Sequence, residues 1–221
     1  MRDFTDAEDY EEGMEHIDPG LMTGVLERAS AYDSDDYSER DVLGVLSSDG
    51  IGPKGFAALL SPAAEPFLEK IARRAKEETM KHFGNSVNIF TPLYASNYCS
   101  NRCVYCGFNR ENNIKRAKLV GEEMDREMEA IASTGLREIL LLTGESRLHS
   151  DPDYIADLVA RASGHFSNIG LEVYPMNTGE YRRMHEMGAD YVTVFQETYD
   201  TDVYKKVHPG GRKRIFSYRF N

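Results

Sequence analysis

Cysteine is scarce in this sequence of 221 residues, which contains only three of them. They lie close together, at Cys99, Cys103 and Cys106. An odd and clustered set does not supply the pairs that a disulfide framework needs. We therefore expect the three thiols to share one local task.

Long apolar runs and an excess of basic charge are also missing. No stretch reaches the ~18–20 apolar residues that a membrane-spanning helix requires. With 37 acidic and 26 basic residues, the net charge of −11 excludes binding to nucleic acid or to an anionic membrane through bulk electrostatics. The first residues lack the basic and apolar segments of a signal peptide. We therefore expect a cytoplasmic protein without membrane or nucleic-acid partners.

The first third of the chain divides into an acidic arm and a helical extension. Residues 1–37 have no apolar periodicity, and we expect them to form a flexible arm. Residues 38–84 carry helix signals, because Ser38 can cap a short helix and Ser61-Pro62 can open a longer one. The start of the arm is rich in carboxylates: Asp3, Asp6, Glu8, Asp9, Glu11, Glu12, Glu15 and Asp18.

From residue 85 onward, strands and helices are expected to alternate. The order strand, helix, strand, helix gives right-handed crossovers and a parallel sheet, so the expected fold class is α/β. Strands are predicted at residues 87–94, 138–142, 171–176 and 191–195. Helices are predicted at 120–134, from Asp151-Pro152 onward, and at 178–187.

Chemically suggestive residues follow the carboxyl end of each predicted strand. Parallel α/β proteins place their functional loops at that edge of the sheet, so we expect a single site there. In strand order, the segments are the three cysteines, Thr143-Gly144-Glu145, Asn177, and Gln196-Glu197-Thr198.

The cysteines are spaced as C-x3-C-x2-C. Thiolates hold iron–sulfur clusters, normally four to a cubane, so three leave one iron open to a small molecule. The alternative is a structural zinc ion with a histidine such as His82 or His149 as fourth ligand. Zinc sites of that kind usually bring two paired motifs, and the sequence has no second pair. The pattern therefore favours an open-site cubane over zinc.

A C-x3-C-x-aromatic-C motif directly after the first strand of a parallel α/β array resembles the radical S-adenosylmethionine (SAM) superfamily. Longer stretches resemble its aromatic amino acid lyase branch, and within it the tyrosine lyases of thiamine biosynthesis. These stretches are residues 91–99, 106–112, 140–147 and 194–199. The resemblance runs from about Phe56 to about Lys213.

The resemblance implies a [4Fe–4S] cluster on the three cysteines, with SAM on the open iron. It also implies that Tyr105 lies beside the adenine and that Gly144 and Glu145 receive the SAM amino group. Gln196 and Glu197 would contact the ribose or the substrate. An ordinary packed ring or turn is the alternative interpretation at each of these positions.

Other polar residues near the strand ends keep two interpretations, a ligand contact or ordinary packing and solvation. They are Arg110, Lys115, Arg147, Tyr174, Asn177 and Tyr199. The six histidines show no metal-ligand spacing, so none receives a role. His208 lies where the family often has a histidine.

The resemblance also implies a reaction, cleavage of the Cα–Cβ bond of L-tyrosine. The products would be 2-iminoacetate (dehydroglycine) and p-cresol, with 5′-deoxyadenosine and methionine, for the thiazole of thiamine. Expected partners are L-tyrosine, thiazole synthase, and a reduced flavodoxin or ferredoxin-type electron donor. The alternatives are the related tyrosine lyase of hydrogenase cofactor maturation and a truncated, non-catalytic iron–sulfur or zinc protein.

The family fold is a (β/α)6 barrel, whereas the sequence predicts about four βα units. We therefore expect residues 85–221 to form the first part of such a barrel, truncated, with the helical extension before it. On this reasoning the chain alone would bind its cluster poorly and would be inactive.

Overall fold

The computed structural model describes residues 10–18 and 20–221. The chain divides into two compact units. Thr23–Val87 form a helical unit, and Asn88–Asn221, with the described residues up to Met22, form a unit that contains the sheet. The division at residue 87 lies close to the boundary that the change in sequence pattern predicts.

The helical unit is built from short helices. Within it, Ser38 caps α2 as predicted, and it does so in a capping box in which the backbone N–H of Ser38 donates to Asp41 Oδ2 at 2.9 Å. The small side chains of Ala58 and Ala64 are buried, as is that of Val42. The helices are α1 (Gly20–Ser30, which starts three residues before the unit), α2 (Glu39–Leu46), α3 (Pro53–Leu59) and α4 (Leu68–Phe83).

One helix prediction is wrong in its start, and one helix of this unit has no counterpart in the predictions. The helix that Ser61-Pro62 was expected to open begins only at Leu68, because Pro62–Phe67 form a tighter 3-10 helix that contains Pro66. Pro66 has no N–H to donate, which disfavours a regular α-helix at that point. Helix α3 was not predicted at all.

The prediction of a flexible arm over residues 1–37 also differs from the structure. Gly20–Ser30 form α1, and Tyr10 and Met14 pack with Ile215 and Tyr218. Met14 is buried beside Tyr218, and Asn177 Nδ2 donates to the carbonyl of Gly13 at 2.8 Å. Such contacts join residues more than 160 positions apart, so local periodicity cannot reveal them. Residues 1–9 lie outside the described part.

The sheet unit confirms the predicted parallel topology. In the described residues, four parallel strands lie in the order β1-β2-β3-β4. The strands are β1 (Phe90–Ser96), β2 (Glu138–Thr143), β3 (Asn168–Glu172) and β4 (Tyr191–Val192). The helices are α5 (Glu122–Ser133), α6 (Pro152–Ala162), α7 (Thr178–Met187), α8 (Thr201–Val207) and α9 (Phe216–Phe220).

The third strand begins three residues earlier than predicted and ends at Glu172. Asn168 and Gly170 are poor strand formers, which hid the start of β3 from sequence reasoning. Gly170 has a packing reason, because a Cβ at that position would overlap the ring of Tyr191. β4 pairs only through Tyr191 and Val192, so it is shorter than the predicted 191–195.

The core of this unit lies between the sheet and its helices. β2 contributes Ile139 and Leu141, and α6 contributes Ile155 and Leu158, all with no exposed surface. This burial fixes the strands, and therefore the loops that leave their carboxyl ends. In the described residues, no helix combines the length and the apolar character needed to cross a membrane.

Candidate functional site

The three cysteines lie on a long loop, residues 97–118, between β1 and α5. This loop is tied to two other strand-end loops. The backbone N–H of Ser100 donates to the carbonyl of Glu145, and that of Arg102 to the carbonyl of Gly210, both at 2.9 Å. The cysteine loop is therefore positioned by contacts with segments that follow β2 and β4.

The side chain of Arg116 joins the two ends of the cysteine loop through hydrogen bonds to its backbone carbonyls. Its Nη1 donates to the carbonyls of Asn97 at 2.7 Å and Phe108 at 2.9 Å, and its Nη2 to that of Asn109 at 2.7 Å. One guanidinium thus binds three carbonyls of the irregular loop, of which that of Asn109 also accepts from the backbone N–H of Asn112 at 3.0 Å. Sequence reasoning missed this residue, because nothing local distinguishes it from a solvated loop arginine.

Two glycines let the loops approach closely. A Cβ on Gly144 would overlap the carbonyl oxygen of Tyr98. Gly211 has a φ of +86°, and a Cβ there would overlap Asn101. Both positions bring backbone against the cysteine loop at distances that other residues do not allow.

The cysteines line one cavity of about 390 Å³ at the carboxyl edge of the sheet. The predicted cofactor residues Tyr105, Gly144, Glu145 and Glu197 line the same cavity. The fifth, Gln196, does not. It is buried and lines a neighbouring cavity, and its Nε2 has no hydrogen-bond partner among the described residues.

The cysteine side chains suit a cluster of several irons. All three are free thiols, and burial raises the pKa of Cys99 and that of Cys103, the latter to about 11. Iron would displace these protons on binding. Among the described residues, no three Cys, His, Asp or Glu side chains converge on a point suited to a single metal ion. A cubane binds each thiolate on a different iron, and three free thiols on one loop provide ligands of that kind.

Glu145 takes part in a buried ion pair within the cavity wall. Its Oε1 accepts from Arg219 Nη2, and its Oε2 accepts from Asn101 Nδ2 at 2.7 Å. Burial works to lower the pKa of Arg219, but the carboxylate of Glu145 outweighs it and raises the pKa, so the guanidinium stays charged. Its Nε has no hydrogen-bond partner among the described residues. Sequence reasoning missed both Asn101 and Arg219.

Glu197 belongs to a second polar network in the lining of the same cavity. Its Oε1 accepts from Lys213 Nζ at 2.6 Å, and its Oε2 lies 3.6 Å from Nε2 of the buried His208. The same nitrogen is 2.6 Å from the hydroxyl oxygen of Tyr105. Burial works to raise the pKa of Glu197, but hydrogen bonds from His208 and Lys213 outweigh it and lower the pKa to about 2.

The backbone at Glu197 is strained. Its φ is +62°, in the left-handed region that residues with a Cβ rarely adopt. Such strain persists only where surrounding contacts fix the conformation, and it concentrates at functional sites. The hydrogen bond from Lys213 at 2.6 Å and the contact with His208 at 3.6 Å provide that fixation.

Four of the six residues with two interpretations have structural contacts. Arg147 binds Glu180 with two hydrogen bonds of 2.6 and 2.7 Å. The Tyr174 hydroxyl donates to the carbonyl of Ser150 at 2.6 Å. None of these side chains lines the cysteine cavity. The same holds for Asn177, which binds the N-terminal segment, and for Tyr199, which packs on Phe220.

Comparison with known proteins gives one matching family. A family model described as the Radical SAM superfamily matches residues 93–216. The chain is 39% identical to 2-iminoacetate synthase of Salmonella typhimurium over 81% of its own length and 48% of the relative. It is 30% identical to 3-methylornithine synthase of Methanosarcina acetivorans, over 89% of its own length and 55% of that protein.

Among solved structures, the fold is similar to that of HydG, a maturase of the [FeFe]-hydrogenase. The TM-score is 0.75 at 29% identity, and the match covers 92% of this chain and 46% of HydG. The chain thus spans about half the length of the relatives that it matches.

Proposed function

Because the chain belongs to the radical SAM superfamily, we propose that this protein cleaves the Cα–Cβ bond of L-tyrosine to give 2-iminoacetate and p-cresol. Its cofactors are a [4Fe–4S] cluster and SAM, as throughout the family. One observation carries the proposal: three free thiols, a buried glutamate–arginine pair and a strained glutamate all line one cavity. The dehydroglycine would pass to thiazole synthase.

The cluster ligands are the thiolates of Cys99, Cys103 and Cys106. When bound and supplied with one electron by an external donor, the cluster and SAM would give methionine and a 5′-deoxyadenosyl radical able to remove a hydrogen atom from the substrate. The chain's own contribution is to hold these groups in place and to exclude water. The burial of Cys103 helps to exclude water, and the hydrogen bonds of Arg116 to the loop carbonyls hold the cysteine loop in place.

The ion pair of Glu145 and Arg219 is suited to the methionine part of SAM. That part carries an ammonium and a carboxylate on one carbon, so Glu145 would accept from the first and Arg219 would bind the second. Without SAM the two side chains neutralise each other, which avoids an unpaired buried charge. Glu197 and Tyr105 lie across the same cavity and would contact the ribose and the adenine.

The choice of tyrosine lyase rests on the relatives. Identity to 2-iminoacetate synthase is higher than identity to 3-methylornithine synthase or HydG. The second candidate function is that of a hydrogenase maturase of the HydG kind, and the fold similarity to HydG favours it.

The test uses protein isolated anaerobically from its source cells and loaded with iron and sulfide. The EPR spectrum of the dithionite-reduced sample should change when SAM is added. With L-tyrosine, the sample should form 5′-deoxyadenosine, p-cresol and glyoxylate, the hydrolysis product of 2-iminoacetate. Formation of cyanide and carbon monoxide instead would favour the maturase, and absence of any tyrosine-dependent product would refute both.

Glu145→Gln provides the residue-level test of this site. The variant should lose at least about tenfold in SAM affinity, because a neutral amide replaces the acceptor of an ammonium. Glu186→Gln on the exposed surface of α7 is the matched control and should bind SAM normally. Equal SAM affinity of the two variants would remove Glu145 from the proposed site.

A further inference from the structure

A basic groove lies directly beside the cysteine cavity. Its volume is about 530 Å³, and it is lined by four arginines together with Tyr98, Cys99, Leu148 and His149, among others. We call it the arginine groove, after Arg110, Arg116, Arg147 and Arg212. Cys99 lines both this groove and the cysteine cavity, so one cluster ligand separates the two spaces.

The charge of the groove contrasts with that of the chain. The lining of the groove contains four arginines and one carboxylate, that of Glu11, within a chain of net charge −11. Arg116 is bonded to neutral carbonyls, and the exposed Arg110 side chain has no ion pair with the described residues. Only Arg147 and Arg212 face carboxylates there. The groove therefore keeps a positive charge that the protein does not neutralise.

The groove also offers apolar and aromatic contact surface. The ring of Tyr98 stacks on that of His149 with centroids 3.9 Å apart, and Leu148 is 85% exposed at the rim. Arginine and tyrosine are enriched at the centres of protein–protein interfaces, and the exposed leucine adds apolar contact surface beside them. A small anion would use the charge but not the apolar rim.

We propose that the arginine groove is the docking surface for an acidic electron-donor protein. The donor delivers one electron to the cluster from the face of the protein on which Cys99 lines the groove. The proposal rests on the proposed function, since it requires a cluster that must be reduced. The reduced flavin or iron–sulfur centre of the donor loses one electron, and the cluster gains it. No bond forms or breaks, and no proton has to move.

Such an encounter should be weak, transient and strongly dependent on salt. Electron-transfer complexes have small interfaces, and charge complementarity acts mainly on their rate of association. Salt at the ionic strength of the cell weakens the attraction between the two proteins further, because it shortens the Debye length to about 8 Å.

The first experiment measures binding. The cluster-loaded protein is titrated with an oxidised flavodoxin as probe by isothermal titration calorimetry, at about 0.02 and 0.2 M salt. Affinity should fall about tenfold or more with the added salt. At low salt, Arg110→Glu should weaken binding five- to tenfold, whereas Arg110→Lys should bind nearly as the parent does.

The matched control is Arg126→Glu, the same charge reversal on the exposed surface of α5. It should change the affinity less than about twofold. Leu148→Ser should weaken binding at both salt concentrations, because it removes an apolar contact. Equal weakening by Arg110→Glu and Arg126→Glu would overturn the proposal, and so would tight binding of a redox-inactive acidic protein of similar charge.

The second experiment measures electron delivery in the absence of tyrosine. Stopped-flow absorbance should show the cluster of Arg110→Glu reduced five- to tenfold more slowly by flavodoxin hydroquinone, but at the parental rate by dithionite. Equal slowing with both reductants would overturn the proposal. A protein that passes these tests yet forms no product from tyrosine would refute the lyase assignment alone.

Discussion

At the scale of the residue, the cysteine cavity is lined by charged side chains that form ion pairs with one another. Glu145 and Arg219 form one such pair, and Glu197 and Lys213 form another. Each pair has a further polar neighbour, Asn101 for the first and His208 for the second. This arrangement keeps buried charges at acceptable free energy, because a lone buried charge would cost several kcal/mol.

Glu197 gives the stability of the protein a predictable dependence on pH. Its pKa in the folded state is about 2, below its ordinary value of 4.5. The ionised group therefore stabilises the fold fully above pH 4.5, and this contribution is lost as the pH falls toward 2. Glu197→Gln should lower the free energy of unfolding by about 2 kcal/mol at pH 7 and flatten its decline in acid.

The measurement is urea unfolding between pH 7 and pH 3, with Glu129→Gln on the exposed surface of α5 as control. The control should follow the parent at every pH. If Glu197→Gln shows the parental acid dependence, the lowered pKa does not contribute to stability, and the network around His208 must be weaker than its geometry indicates.

At the scale of the element, the cysteine loop depends on its neighbours more than on its own sequence. The sequence alone predicted the order of strands and helices and the edge where the site lies, because hydrophobic periodicity and capping residues are local signals. It did not reveal Arg116 or Arg219, whose roles arise from contacts across the fold. The ends of β3 were also missed, since Gly170 is selected by the ring of Tyr191 rather than by strand propensity.

A substitution at Gly144 shows how closely the loop after β2 must approach the cysteine loop. Gly144→Ala would place a Cβ against the carbonyl oxygen of Tyr98, so the cysteine loop would have to shift. We expect the iron and acid-labile sulfide bound per chain to fall by more than half, with a loss of about 1–3 kcal/mol in unfolding free energy.

Gly179→Ala in α7 is the matched control, because a Cβ there meets no atom within 4 Å. It should bind iron and sulfide as the parent does and gain slightly in stability from the better helix propensity of alanine. Normal cluster content in Gly144→Ala would mean that the loop tolerates the shift and that the glycine serves another purpose.

At the scale of the whole sheet unit, the two ends of the described chain meet at the site. Met14 packs with Ile215 and Tyr218, and Arg212 Nε donates to Glu11 Oε2 at 2.9 Å. α9 carries Arg219 into the cavity wall, so the N-terminal segment supports the residue proposed to bind the SAM carboxylate. Sequence reasoning treated this segment as an arm without structure, since its contacts lie some 200 positions away along the chain.

Met14→Ala should therefore act on SAM as well as on stability. Truncation of this buried side chain should cost about 2–3 kcal/mol of unfolding free energy. SAM affinity should fall severalfold, because α9 loses support beneath Arg219. Met187→Ala on α7, where the methionine is 39% exposed, is the control and should change neither quantity appreciably. Urea unfolding and calorimetric SAM titration measure the two effects. A destabilised Met14→Ala protein with parental SAM affinity would show that the N-terminal segment supports the fold without positioning Arg219.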